Sequence, residues 1–349
     1  MTRARDLVDL PGTAGKHNAI TDVAGVEVGY VTLVEGDSVR TGVTAILPRG
    51  RDGVGDPCAA GWHSLNGNGE MTGTTWLTET GSLALPVLIT NTHAVGPCHR
   101  GVIDWVARHR PDLAAEWLLP VVAETWDGRL NDINGDHVRA EHAVAAIDAA
   151  AGGPVAEGSV GGGTGMVCYE FKGGSGTASR LVSYGADTYT VGAFVQANFG
   201  SRKELTIAGR PVGLAGGGSR VPPGAGSVIA VVATDAPMLP GQCMALARRV
   251  PLGLARTGTT GSHFSGDIFL AFSTANSGAL RSAFGDAGYD TLRFVRWGAI
   301  DPFYEAVVQA VEEAVLNALV DNESMTGLGG HHVPALPHAY LTGADSING

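Results

Sequence analysis

The run Val228-Ile-Ala-Val-Val-Ala-Thr234 is entered from Pro222-Pro-Gly-Ala-Gly226 and left through Asp235. Glycine and proline clusters punctuate loops, and a short apolar run bounded by them, rich in β-branched residues, reads as a fully buried strand. Ser227 stands at the junction. One reading is ordinary: a small residue that opens a strand. The other is that Gly226-Ser227 is a self-cleavage bond and Ser227 a new N-terminus. A serine hydroxyl is a weak nucleophile until a base takes its proton, and an N-terminal residue can use its own α-amine for this. That amine titrates near pH 7.7–8.0 in unperturbed form, close to working pH (about). Glycine before the serine lets the backbone take conformations closed to other residues. Spacing alone leaves both readings open.

Charged residues are 16% of the 349, against roughly 25% in an average domain, and 52 are glycine. Few charges and many small residues suit closely packed layers and surface buried between subunits. The 23 basic and 34 acidic side chains leave a net charge of −11, which argues against nucleic acid and anionic membrane as partners. Cys58, Cys98, Cys168 and Cys243 are scattered without C-x-x-C pairing and read as buried thiols. The start, Met-Thr-Arg-Ala-Arg-Asp, lacks an apolar signal core, and no apolar run nears about 18 residues, so a cytoplasmic protein is expected. His331, His332 and His338 have no carboxylate or thiol at ligand spacing, so no metal is expected. Gly161-Gly-Gly-Thr-Gly165 and Gly216-Gly-Gly218 lack the Lys-Ser or Lys-Thr ending of a phosphate loop and the dinucleotide spacing, so no cofactor is expected either. No G-x-S-x-G elbow is present, which disfavours an α/β-hydrolase triad.

Strands are expected at 26–33, 43–48, 86–91, 118–123, 190–197 and 268–273, with a hairpin over 205–212. Helical spacing covers 96–108, 138–151 and 240–256. The clearest helix starts with Asp301 as N-cap and Pro302 in the first turn, and repeats Val307, Val308, Val311, Ala314, Val315, Ala318 and Leu319. Residues 61–70, dense in Gly and Asn, suit a site wall, and 213–226 a mobile, cleavable loop. The mixture supports α/β or α+β.

Several blocks resemble one family in the family's own order. They are Asn18-Ala-Ile-Thr-Asp-Val23, Leu65-Asn-Gly-Asn-Gly-Glu-Met-Thr-Gly73, Asn91-Thr-His-Ala-Val-Gly96 and Glu124-Thr-Trp-Asp-Gly128. They continue with Gly161-Gly-Gly-Thr-Gly-Met166, Phe171-Lys-Gly-Gly174, Val195-Gln-Ala-Asn198, Gly226-Ser227 to Pro240, Ser265-Gly-Asp-Ile268 and Glu313-Ala-Val-Leu-Asn-Ala318. Together they look like the DmpA-type aminopeptidases, the L-aminopeptidase/D-esterase and β-peptidyl aminopeptidase family of N-terminal-nucleophile hydrolases. The resemblance implies a four-layer αββα fold over 1–349, cut into an α-subunit, 1–226, and a β-subunit, 227–349. It further implies a homotetramer of such αβ units.

The same resemblance implies roles. Ser227 becomes the nucleophile and its α-amine the base. Ser265 and Asp267 match the family's serine-x-acid motif; two residues apart on an extended segment they point the same way. Asp267 would orient Ser265, and Ser265 would relay to the amine; several relatives carry Glu at that acid. Asn198 is implied as the oxyanion donor and Glu124 as the acid that receives the substrate's free amine. Trp126 stands where some relatives have Tyr, so only its indole N–H could replace a hydroxyl there. The expected activity is an aminopeptidase or amidase acting on short peptides, amino-acid amides or esters. Alternatives are an acyltransferase similar to the ornithine acetyltransferases, which use Thr rather than Ser, and an amidase for synthetic amide oligomers.

Overall fold

In the computed structural model, which describes residues 2–213, 226–282, 285 and 287–342, the apolar run forms a strand over Gly226–Thr234. It lies inside a sheet, antiparallel to Asp187–Asn198 and parallel to Ser265–Ser273. Every residue from Ser227 to Thr234 is buried, as the lack of alternation implies.

Two sheets build the molecule. The first has the order β1 (Glu27–Glu35), β2 (Val39–Leu47), β5 (Val87–Asn91), β6 (Val121–Thr125). The second runs β4 (Ser82–Leu83), β3 (Cys58–Ser64), β14 (Ser265–Ser273), β13 (Gly226–Thr234), β10 (Asp187–Asn198), β9 (Gly174–Tyr184). Short pairs fill the numbering: β7 (Val167–Cys168) with β8 (Phe171–Lys172), and the expected hairpin, β11 (Thr206–Ile207) with β12 (Arg210–Pro211). Ile46, Ile89, Val121 and Ala123 of the first sheet meet Phe194, Ile229, Val231, Leu270 and Phe272 of the second in an apolar middle layer.

Helices cover both outer faces, the expected αββα layering. The helices α3 (Val95–His109) and α4 (Ala140–Asp148) pack Val102, Trp105, Val106, Ala143 and Ile147 on Val43, Ala45, Leu88 and Val122. On the other side α5 (Pro240–Ala247), α6 (Val250–Arg256) and α7 (Asp301–Val320) cover Val195, Ala230, Val232, Phe269 and Ala271. Two further small helices are α1 (Ala4–Leu7) and α2 (Thr74–Thr80).

Several boundaries differ from expectation, and four of them have a clear local reason. The 240–256 helix is two helices, because Pro251 has no N–H for the carbonyl four residues back. In α7 the capping position is Ile300, whose carbonyl accepts from the Phe303 N–H; Asp301 instead places its charge in the first turn, where the helix dipole favours it. The strand β14 begins at Ser265 rather than 268, because Ser265 and Gly266 continue the parallel ladder with β13. The strand β6 runs on through Glu124 and Thr125, paired with Thr90 and Asn91. Residues 214–225 of the expected cleavable loop lie outside the described residues.

Polar groups buried in α7 tie the N-terminal segment to this helix. Glu313 accepts from Arg180 Nη2 at 2.7 Å, from Arg5 Nη2 at 2.9 Å and from Asn18 Nδ2 at 2.6 Å. Burial pushes the Glu313 carboxyl up, but the Arg5 hydrogen bond and the Arg180 charge outweigh it and hold it below its ordinary value. The four cysteines are buried and free, and no helix among the described residues is long and apolar enough to cross a membrane.

Candidate active site

The middle layer turns polar where β5 and β6 end and β13 begins. Ser227 is 2% exposed and is paired with Asn198 on β10 and Gly266 on β14. Ile229 and Val231 belong to the middle layer, so alternation turns Ser227 toward the first sheet as well. The main-chain N–H of Trp126, just past β6, donates to Ser227 Oγ at 3.2 Å. Asn198 is clamped between two main-chain groups. Its Nδ2 donates to Trp126 O at 2.8 Å, and its Oδ1 accepts from the Val167 N–H at 2.8 Å. A carbonyl on one side and an N–H on the other leave the amide one orientation, with a second N–H of the Nδ2 group still to give. On the same face Gln196 Nε2 donates to Thr125 Oγ1 at 2.6 Å and Thr90 O at 3.2 Å, joining the two sheets.

Ser265 and Asp267 share a face, as their spacing predicts: Ser265 Oγ donates to Asp267 Oδ1 at 2.5 Å. That face is the one carrying Phe269 and Ala271, toward the helices, opposite to the face of Ser227. The Gly226-Ser227 main chain lies between the two sets of side chains, with Gly226 paired to Ser265. Asn66 braces the acid from both ends. Its Nδ2 donates to Asp267 Oδ2 at 2.8 Å, and its Oδ1 accepts from the Asp267 N–H at 2.7 Å. Burial pushes the Asp267 carboxyl up, against the pull of the Ser265 and Asn66 hydrogen bonds.

Glu124 is also 2% exposed. Its Oε1 accepts from the Glu70 N–H at 2.9 Å, and its Oε2 from the Thr92 hydroxyl. Burial pushes this carboxyl up too, partly offset by those two donors. The 65–70 loop is a wall between Glu124 and β14. A Cβ on Gly69 would sit 2.8 Å from Gly266 Cα and 3.3 Å from Glu124 Oε1, so only two glycines back to back allow the loop this close. The indole of Trp126 is 46% exposed and folds over Gly128, where an added Cβ would lie 2.5 Å from the ring. The Trp126 N–H that reaches Ser227 is therefore the main-chain one. His332 bonds Thr326 and His338 bonds Val320 O, away from the groups above.

A family model for peptidase family S58 matches residues 18–333. The chain belongs to peptidase family S58. It is 50% identical to the β-peptidyl aminopeptidase BapA of Sphingosinicella microcystinivorans, over 97% of this chain and 90% of the relative. Two solved structures superpose over nearly the whole chain. A Burkholderia sp. β-aminopeptidase gives a TM-score of 0.90 at 48% identity, covering 98% of each chain. The L-aminopeptidase D-Ala-esterase/amidase of Ochrobactrum anthropi, described as a variant of the Ntn hydrolase fold, gives 0.92 at 45%, covering 98% of this chain and 97% of that one. This S58 chain is thus a hydrolase of the aminopeptidase class with the N-terminal-nucleophile hydrolase fold.

Sequence reasoning missed three residues of this S58 site. Asn66 and Thr92 lie inside the matching blocks, yet nothing in their spacing points to Asp267, 201 residues on, or to Glu124. The third is Asp127, fully buried beside Trp126. Its Oδ1 accepts from Asn131 Nδ2 at 3.1 Å, and its Oδ2 has no partner among the described residues. Burial pushes it up to about 7, against the pull of the Thr41 and Asn131 side chains. A carboxyl raised in the fold stabilises it below the unfolded value, near pH 4 (about). That contribution is lost as pH rises through about 7. Asp127→Asn is therefore expected to melt close to wild type at pH 5 and several degrees above it at pH 8. Equal melting temperatures at both pH values would show that the carboxyl is not strained.

Proposed function

We propose that this chain cuts itself between Gly226 and Ser227 and then removes N-terminal residues from short peptides, amino-acid amides or esters through an acyl-enzyme on Ser227. The observation that carries the reading is the placement of the Gly226-Ser227 bond. Ser227 Oγ and the Asn198 amide stand on one side of it and the Ser265–Asp267 pair on the other. Gly226 also fits no larger residue: a Cβ there would lie 2.5 Å from Asn198 O and 2.9 Å from Phe199 Cα.

In the first reaction Ser227 Oγ attacks the Gly226 carbonyl carbon. The C–N bond breaks, the hydroxyl proton ends on the departing nitrogen, and water hydrolyses the resulting ester to free the Gly226 carboxylate. The products are 1–226 and 227–349. They stay together because β13 of the second piece is zipped to β10 of the first, and Glu313 of the second is buried against Arg180 and Arg5 of the first. The new α-amine then stands where Ser265 faces Gly226, so Ser265, oriented by Asp267, accepts from or donates to it.

In the second reaction Glu124 holds the substrate ammonium, since a desolvated cation needs a fixed anion. The α-amine takes the Oγ proton as Oγ attacks the substrate carbonyl, and passes it to the leaving amine. The free N–H of Asn198 Nδ2 meets the oxyanion, and water attacking the acyl-enzyme returns Ser227. Because two of the relatives above are β-aminopeptidases and one an L-aminopeptidase, β-homoalanyl and L-alanyl p-nitroanilides are the first substrates. Intact mass under denaturing conditions should give two chains dividing at Gly226/Ser227, and one of these anilides should be hydrolysed. An uncut chain that leaves both untouched would sink the proposal.

A further inference from the structure

Lys172, on β8, is fully buried, and no carboxylate pairs with it among the described residues. Its Nζ instead meets three main-chain carbonyls: Gly173 O at 2.7 Å, Met166 O at 3.0 Å and Gly163 O at 3.5 Å. An ammonium has three donors and no acceptor, so the three carbonyls match it in number. A desolvated cation without an anion is expensive to keep in a fold. Burial accordingly pulls the Lys172 ammonium down to about 7. Three carbonyl oxygens aimed at Nζ favour the protonated form against that burial.

One of the three contacts leads on through a single peptide unit. Met166 O, which Lys172 grips, belongs to the same planar amide as the Val167 N–H, which donates to Asn198 Oδ1 at 2.8 Å. The loop holding this amide is threaded between the sheets with no slack. A Cβ at Gly162 would lie 2.3 Å from Gln196 Oε1, one at Gly163 2.4 Å from Ser175 N, and one at Gly165 2.2 Å from Arg40 O. A positive charge on the carbonyl end of an amide polarises its N–H end, and hydrogen bonds in series strengthen one another. The series runs from Lys172 through Met166–Val167 to Asn198 and on to Trp126 O.

We infer that Lys172 is a positioning residue for the oxyanion: its ammonium fixes and polarises the Met166–Val167 amide, which in turn orients Asn198 and sharpens its remaining N–H. The inference rests on the reading of Asn198 as the oxyanion donor proposed above. Its test is a double-mutant cycle on the full chain with Lys172→Met and Asn198→Ala, reading the rate of self-cleavage, and kcat and KM per cut chain. Lys172→Met should slow both rates about tenfold, a share of the 10²–10³ carried by one such donor, and leave KM within twofold. Added to Asn198→Ala, it should slow neither rate further. Wild-type rates in Lys172→Met, or the same loss repeated in the Asn198→Ala background, would overturn the inference while leaving the oxyanion reading intact. Wild-type rates in Asn198→Ala would overturn that reading and this inference with it. Lys172→Gln keeps donors without charge; failure of both neutral variants to fold would assign Lys172 a purely structural role.

Discussion

Ser227→Ala is expected to be recovered as one chain of 349 residues, folded, uncut, and slower on every aminoacyl amide by a factor on the order of 10⁶. Two losses coincide in this variant. On the proposed mechanism the nucleophile is gone, and without a cut there is no α-amine to act as base, so the effect should not be a partial one. The fold should hardly notice. Ser227 Oγ accepts one hydrogen bond, from the Trp126 N–H, and the methyl of alanine fits where the Cβ of serine already lies. One such bond is worth about 1 kcal/mol. Thermal melting beside the mass measurement separates the outcomes. A cut Ser227→Ala chain would place the scissile bond elsewhere, and an uncut but active one would mean that the nucleophile is another residue. Wild-type melting with neither cutting nor activity is the expected result.

Much of this site was legible because strand geometry is regular. Ser265 and Asp267 two apart on an extended segment must share a face, and they do. The apolar Val228–Ala233 run, bounded by glycine and proline, reads as a strand covered on both sides, and it is one. What could not be read is which face each strand turns where. The parallel pairing of Ser227 with Gly266 puts the Ser227 side chain and the Ser265–Asp267 pair on opposite faces, and pairing register is a tertiary fact. The bracing of Asp267 by Asn66 depends on Gly69 and Gly266 letting a loop lie against β14. The break between α5 and α6 was hidden by apolar spacing that continues from Leu246 and Ala247 to Val250 across the bend, although Pro251 marks it. The cost of burying Asp127 and Lys172 is invisible in a sequence, since burial itself is what moves their titration.

Glu124→Gln should separate self-cleavage from substrate recognition. The Gly226-Ser227 bond is internal and brings no ammonium, so the variant should still appear as two chains. Its kcat/KM on substrates with a free amine should fall roughly 10²–10³-fold, the loss expected when one partner of a desolvated charge pair is removed. Glutamine is nearly isosteric: its carbonyl can accept from the Glu70 N–H as Oε1 does now, and its NH₂ can donate to the Thr92 hydroxyl. Melting should therefore stay close to wild type. Substrates acetylated at the amine should be poor for both forms and should not distinguish them. The pH dependence supplies an independent check with a definite sign. Burial raises the Glu124 carboxyl, so in the wild type KM for a cationic substrate should start to rise, as pH falls, above the ordinary carboxylate range. In Glu124→Gln that rise should be absent, because position 124 itself no longer titrates. Unchanged kcat/KM in a cut Glu124→Gln enzyme would move amine recognition to another anion, with the Ser227 chemistry untouched.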